Sequence, residues 1–461
     1  MKLEDIIKYV EFVKYEITKL TVVLSKKTIE ITPTFVSEII LEHDYDNLYT
    51  PMFSLSVSLS QEEYKEIVAD KENVKFIVKM NKVYYNDEKI KLHTESFIND
   101  TFCSHIIDET PLMEQDLIDI TKDVYRSSPD EKTPMDLEKI RDFWLFKDEH
   151  VKAGNTDVNM VIKSGTVNDI LAQLMYQSGL RKVLMTPANN KNKIKNMMFP
   201  LMTTVKAIDY LQQIKGIYNK GVLFFMDFKR TYLIDKNAYC TAWIPNEYKI
   251  TNIYIFSQKS QFNSIIGQYN DKDSKEANIF TNSESIDITN KSLINNAIYG
   301  NRMLLINPKS DKISSIEPEL IQRGSSNTVV NIQKHTNSYL KNSDKIALIE
   351  NEYSVKVILK DVDLESLTPN KCFKLIFQNT SLNEKYGGTY RISHVLTTFR
   401  KIGEELDSDT ICELKKHNDK TNEFGAEDRF DDWNDYEEDG NDEVEQEEQS
   451  NTNYGFRLYF D

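Results

Sequence analysis

The chain has 461 residues, of which 40% are apolar and 28% charged, and a formal net charge of -16. That length exceeds one ordinary core and calls for three or four domains, and no apolar run approaches the roughly 18 residues that mark a membrane helix. The acidity is local: residues 404–461 hold 21 acidic and 5 basic side chains, while the preceding 403 carry 52 of each, so the body offers no basic footprint for nucleic acid.

The opening MKLEDIIKYVEFVKYEITKL has acids in its first turn and no continuous apolar core, so it reads as neither a signal peptide nor an anchor. Cys103, Cys240, Cys372 and Cys412 lack staple spacing and fit a reducing compartment. Thr21 to Leu24, Thr28 to Thr32 and Phe35 to Leu41 alternate near period two and predict strands. Phe53, Leu55, Val57 and Leu59 line one face of a further strand, with Ser54, Ser56 and Ser58 on the other. Ser60 with Glu63 is a capping box that opens a short helix around Tyr64 to Val68. Lys75 to Met80 and Val83 to Leu92 read as strands about a turn at Asn81. After the turn-rich Ser127 to Pro134, Met135 to Phe146 reads as a short helix whose Phe143 and Trp144 pack on a neighbouring domain.

The middle is the most patterned stretch. Thr166 caps a helix in which Val167, Ile170, Leu171, Leu174 and Met175 recur at spacings of three and four. Met185 to Lys195 is a long loop, open to two readings: a reach toward a partner, or plain solvation. Past Pro200, a second helix puts Val205, Ile208, Leu211 and Ile214 on one face and closes at Gly216. Leu223 to Ile234 then reads as two strands about a turn at Asp227 to Arg230.

This order of pieces resembles the central baseplate hub proteins of contractile-tailed bacteriophages, relatives of the late control protein D family. The resemblance rests on a "TVxDIL…SG" helix at Thr166 to Gly179, a "YL…I.G.Y..G" ending at Tyr210 to Gly221, and an "LFF.DF…Y.I" hairpin at Leu223 to Ile234. It implies a tube-type β-barrel in residues 1–126, an α+β middle domain in 127–236, a loop-rich sheet domain in 237–335 and a second tube-type barrel in 336–403. The fold class is therefore α+β and multidomain, with two small, mostly antiparallel barrels flanking the middle. The two barrels are expected to superpose.

From Asn237 to Gln322 the chain is asparagine-rich, with short strands at Ile250 to Phe256 and Met303 to Asn307. Val355 to Leu359 and Lys371 to Gln378 return to period two about a tight turn at Leu367 to Asn370. In Tyr386 to Val395 a glycine turn leads into a strand whose phase slips at Val395 and Leu396, which predicts a bulge or an interface. This closing group resembles the last strands of a hub protein's second barrel. Residues 404–461 read as an acidic tail, with Asp419 to Ser450 a self-repelling tether. Its last residues, Tyr454 to Phe460, form an aromatic peptide able to add to a neighbour's sheet edge.

No catalytic, cofactor or metal site emerges. Cys103 with His105 and Cys412 with His417 lack the further ligands of a zinc site, and the run from Asp435 fails the calcium-loop pattern at Asp442 and Gln446. His43, Asp44 and Asp46 form a compact polar cluster, read as a solvated turn in preference to an acid/base site. The sites expected are interfaces: Phe53, Leu55, Val57 and Leu59, with Tyr390, Ile392 and Leu396, as ring-forming faces, and Tyr454, Phe456, Leu458, Tyr459 and Phe460 as a docking peptide. The resemblance implies a homotrimer that joins a six-fold tail tube protein to a three-fold central spike protein, beside neighbouring baseplate proteins. The genome would pass its channel without sequence-specific binding. It places the chain in the virion tail baseplate, made in the host cytoplasm and not inserted in a membrane. Two other readings stand beside it: a generic binding module with an acidic masking tail, and a cell-wall glycan hydrolase.

Overall fold

The computed structural model describes residues 9–107, 139–219, 221–236, 248–257, 260, 265–271, 273–282, 286–289, 301–306, 313–316, 329–333, 354–402, 405–416 and 456–458. In chain order the first strands are β1 (Phe12–Val23), β2 (Thr28–Ile31), β3 (Val36–Asp44) and β4 (Met52–Leu59), followed by helix α1 (Gln61–Ala69). Next come β5 (Lys75–Tyr85), β6 (Lys91–Ile107), β7 (Lys139–Lys147) and α2 (Asp148–Gly154). The middle holds β8 (Asp157–Gly165), α3 (Val167–Gln177), β9 (Val183–Met185), β10 (Ile194–Thr203), α4 (Thr204–Ile214), β11 (Val222–Met226) and β12 (Thr231–Asp235). Then follow β13 (Ile250–Phe256), β14 (Gly267–Asp271), β15 (Glu276–Asn282), β16 (Ile286–Thr289), β17 (Asn301–Ile306), β18 (Ile313–Ile316) and β19 (Val329–Gln333). The chain returns through β20 (Ser354–Lys360), β21 (Cys372–Phe377), α5 (Thr380–Tyr386), β22 (Gly388–Ile402), β23 (Glu405–Lys416) and β24 (Phe456–Leu458).

Eight of these strands close on themselves. The order β22–β3–β4–β7–β6–β5–β1–β23 is antiparallel throughout, and the β22–β23 hairpin seals the ring. Alternation explains which way each side chain points. On β4 the apolar residues Phe53, Leu55, Val57 and Leu59 are buried, and on β23 Leu406, Cys412 and Leu414 are. Tyr15, fully buried, meets Phe97 and Phe399 edge-on at 5.1 and 5.0 Å, so strands from both ends of the chain share one interior.

The same hairpin serves a second sheet of eight strands, β14–β15–β13–β21–β22–β23–β20–β16. Its two outer arms approach each other, since Thr281 Oγ1 donates to the Ile358 carbonyl at 3.1 Å. Here β13 pairs in parallel with both β15 and β21, which the first ring never does. Gly267 allows the two sheets to touch: Glu11 and Gln268 exchange backbone hydrogen bonds of 2.7 and 2.9 Å. A Cβ on Gly267 would sit 2.7 Å from the Glu11 carbonyl, on a backbone with φ of +135°.

The middle unit is built locally. Thr166 and Asp169 cap α3 reciprocally, and α4 ends at Gly216, whose φ of +78° lets its N–H return to the Leu211 carbonyl. Gln212 satisfies the turn that follows: its Oε1 accepts from Ile217 and Tyr218 N–H at 2.7 and 3.1 Å. Helices α3 and α4 bury Ile170, Leu174, Ile208 and Leu211 in a core of their own, with Phe199 and Tyr218. Pro200 does not precede a break but sits within β10, where the ladder with β8 skips between Phe199 and Met202 and needs no proline N–H. Among the described residues no helix is long and apolar enough to cross a membrane.

Several expectations are corrected. Residues 1–126 do not make a barrel alone: the ring needs β7 from beyond that range and β22 and β23 from the other end of the chain. Residues 336–403 make no separate barrel either, because β22 is shared with the ring, while β20 and β21 belong to a second sheet completed by β13 to β16 and β23, with a mixed strand order. Strands β13 to β15 extend that sheet, whereas β17 to β19 form a three-stranded sheet of their own. The acidic tail begins later than residue 404, since β23 is part of the ring. The stretch read as a helix at Met135 to Phe146 contains β7, with Phe143 and Leu145 inside and Ile140 and Trp144 outside. Asn81 marks no turn; β5 runs through it, and the ladder to β6 is merely irregular there. The bulge in β22 is found between Ile392 and His394.

Candidate functional site

Where the ring, the β11–β12 turn and the segment after β20 meet, a buried lysine and aspartate pair beneath partly exposed charged side chains. Lys82, on β5 and only 1% exposed, lies 3.1 Å from Asp363 and 3.3 Å from both Glu95 and Glu365. Burial works to lower the Lys82 pKa, but Asp363 and Glu365 outweigh it and hold the ammonium well above its usual value. Tyr84 donates to Asp363 at 3.2 Å, and its ring stacks on His93 at 4.1 Å. Lys229, from the β11–β12 turn, reaches Glu365 at 2.6 Å. The ammonium of Lys82 donates to Asp363 and lies within ion-pair distance of Glu95 and Glu365.

A cavity of about 380 Å³ opens beside this network. His43 and Tyr45 line one wall, their rings 3.8 Å apart, and Phe228 and Tyr232 line another. His43 is 7% exposed and its Nε2 has no hydrogen-bond partner among the described residues; the same holds for Asn270 Oδ1 on the cavity's rim. Burial, with His150 and His394 nearby, keeps the His43 imidazole neutral, well below its usual pKa.

A second cluster lies around the loop after β3. Asp46 Oδ1 meets Arg391 at 3.1 Å and Lys236 at 2.9 Å, while Oδ2 meets Lys415 at 2.6 Å. Burial alone would raise this carboxyl, yet Arg391, Lys236 and Lys415 together hold it well below the usual carboxylate range. One side chain thus ties β22 and β23 to the end of β12. Nearby, His150 of α2 shares a 2.8 Å hydrogen bond with Thr50, and burial beside Lys147 pushes it down to about 3.

The sequence cluster at His43, Asp44 and Asp46 is therefore no solvated turn, and its members do not converge. His43 lines the cavity, Asp44 Oδ1 accepts from the N–H groups of Asp46 and Asn47, and Asp46 binds three cations. Alternation separated His43 from its neighbours; the burial of both faces near a barrel mouth was not readable from it. Cys103 is partly buried, its thiol pushed up by burial, and Cys412 is fully buried. Among the described residues no three metal-binding side chains gather. The run from Asp435 to Gln446 lies outside the described residues.

The interface candidates fall differently. Phe53, Leu55, Val57 and Leu59 fill the ring's interior and cannot serve as an exposed face; a closed barrel turns its apolar side inward. Tyr390 and Ile392 are buried as well, and Leu396 is half-buried. What the outer face shows instead is Ile140 and Trp144, beside the serines of β4. Phe456 and Leu458 lie in β24, which does add to a sheet edge, but to that of β9 in its own chain, pairing with Met185 and Val183. Tyr454, Tyr459 and Phe460 lie outside the described residues.

Residues 6–428 match the family model described as the bacteriophage PBS1 gene 109 protein. No curated protein matches the chain. Among solved structures, the tail protein from Neisseria meningitidis MC58 is similar at 9% identity, over 87% of this chain and 96% of that one, with a TM-score of 0.47. The 43 kDa tail protein of prophage MuSo2 from Shewanella oneidensis is similar at 7% identity, over 86% and 96%, with a TM-score of 0.48. The Francisella PdpA-VgrG complex is similar at 10% identity, over 88% of this chain and 53% of that one, with a TM-score of 0.46.

Proposed function

Because this chain belongs to the family of the bacteriophage PBS1 gene 109 protein, we propose that it is a structural hub of a phage tail baseplate, not an enzyme. Three copies would form a ring that joins the six-fold tail tube to the three-fold central spike, with neighbouring baseplate proteins around it. The genome would pass through the ring's channel without base-specific contacts. The observation that carries this reading is the chain-wide weld of two eight-stranded sheets through one hairpin, β22–β23. A part that transmits load between a tube and a spike needs rigid units fixed to each other, and a shared hairpin leaves no hinge between them. Three such chains also present six sheet units around an axis, although the two units of one chain differ in strand order. The outer face bearing Ile140 and Trp144 is one exposed apolar surface that contact between copies would use.

Native mass measurement of the purified chain, with imaging of particles that carry it, tests the proposal. Three copies at the junction of tube and spike are expected. A closed six-copy ring, or a location away from the tail axis, would overturn it.

A further inference from the structure

The middle unit departs from the charge balance of the body. Residues 157–219 carry eight basic and three acidic side chains, against 52 of each over the first 403 residues. Four of the lysines gather at one place. Lys191, Lys193 and Lys195 alternate through the loop and into the start of β10, and Lys163 lies on β8 beside Ser164, the ladder partner of Lys195. All four are exposed, and none forms an ion pair among the described residues. Asp169 lies near the run but is engaged in the α3 cap, where the Thr166 hydroxyl and N–H, and after them Lys193, lower its carboxyl. The same two-stranded sheet leaves an apolar pair uncovered beside Lys163: the register partners Val161 and Met198 are 66% and 60% exposed. Unpaired like charges next to exposed apolar side chains suit an acidic partner that also carries aromatic residues.

The chain supplies such a partner. Residues 417–455, between β23 and β24, hold 15 acidic and two basic side chains, and the most acidic stretch, residues 431–448, includes Trp433 and Tyr436. Strand β24 fixes where the end of that stretch arrives. It is antiparallel to β9, with Phe456 opposite Met185 and Leu458 opposite Val183. The chain before Phe456 therefore leaves in the direction in which β9 continues into Thr186 and the lysine loop. Glu448 precedes Phe456 by eight positions, a reach of up to about 27 Å. We propose that residues 431–448 are a mask in cis: brought in by β24, they cover the face of Lys163, Lys191, Lys193 and Lys195 and withhold it from other polyanions, such as nucleic acid. The contact does not depend on the hub role.

Zero-length carbodiimide cross-linking of the full chain tests this, read by mass spectrometry on an equal mixture of isotope-labelled and unlabelled protein. Cross-links from residues 431–448 should fall on Lys163, Lys191, Lys193 and Lys195 in preference to the exposed ring lysines Lys79 and Lys89. They should join residues of one chain and fade at about 0.5 M salt. Changing the eleven acids of residues 431–448 to Asn and Gln leaves β24 and the lysines in place. That variant should bind a single-stranded DNA of about 20 nucleotides about tenfold more tightly than the native chain at about 50 mM salt. Adding Lys191→Gln, Lys193→Gln and Lys195→Gln, with thermal melting to verify the fold, should remove the gain. Cross-links spread evenly over the surface or joining separate chains would overturn the proposal. So would equal DNA binding by the native and neutralised chains, or a gain that survives loss of the lysines.

Discussion

The ring and the middle unit solve opposite problems with similar side chains. The ring brings together strands some 350 positions apart: Tyr45 N–H bonds to Ser393, and Tyr15 OH bonds to Val362. In the middle unit most ties are short in sequence, such as those from Thr204 to Thr156 or Asn190 to Lys215, and the late strand β24 on β9 is the exception. Closing a long loop costs entropy that local pairing does not, and the ring repays it with a continuous aromatic and aliphatic interior and buried charge pairs. The middle unit relies on caps and amphipathic helices, which fold where they stand. The ring should therefore be the more cooperative of the two and the more sensitive to single changes.

The most severe test of that contrast is Lys82→Ala. Removing the ammonium leaves Asp363, 6% exposed, without its main partner, and breaking a buried pair costs about 3 to 5 kcal/mol. Thermal and denaturant unfolding should show the ring lost first, with α3 and α4 still protected in amide exchange. Simultaneous loss of both units would show that they are one cooperative body.

The seam between the units responds to acid. Burial holds the His150 imidazole down at about 3, below its ordinary value of 6.5, so the unfolded chain takes up its proton more readily. Its contribution is full above about pH 6.5 and is lost as pH falls toward 3. Asp46, also depressed, adds a loss in the same direction at more acidic pH, below its ordinary carboxylate value. Stability measured between pH 7 and 4 should fall for the native chain and fall less for His150→Gln. Equal slopes would remove His150 from the account.

The smallest expected effect lies in the middle unit. Thr166→Ala removes the capping bond to the Asp169 N–H and should cost about 1 kcal/mol, read as faster amide exchange at the start of α3 with the ring unchanged. A response of the ring to this change would break the comparison.

This contrast also governs what the amino-acid order discloses. The caps of α1 and α3, the stop at Gly216 and the hairpin of β11 and β12 are all written in neighbouring residues, and each was legible. Pairing partners are not written that way. Nothing near Phe53 says that its strand faces the inside of a ring closed by residues near Phe399. Strand β23 was hidden because Ser408 and Thr410 occupy inward positions and acids the outward ones, so its apolar signal was faint beside the charge. Strand β7 was masked by Ile140 and Trp144 on its exposed side, which blurred the period. At the site, Lys82 gave no signal at all, since its three carboxylates come from other elements.

The shared hairpin also sets an order of events at the ribosome. Strands β1 to β7 are made by residue 147, yet their ring stays open until β23 emerges near residue 416. At about 5 to 20 residues per second, the edges of β1 and β3 wait on the order of 15 to 50 s for their partners. The middle unit is synthesised in that interval and can already be folding. A nascent chain that stalls in between presents two unpaired strand edges, the kind that neighbours seize upon. Sealing waits on the late hairpin: only chains read through to β23 lose those edges.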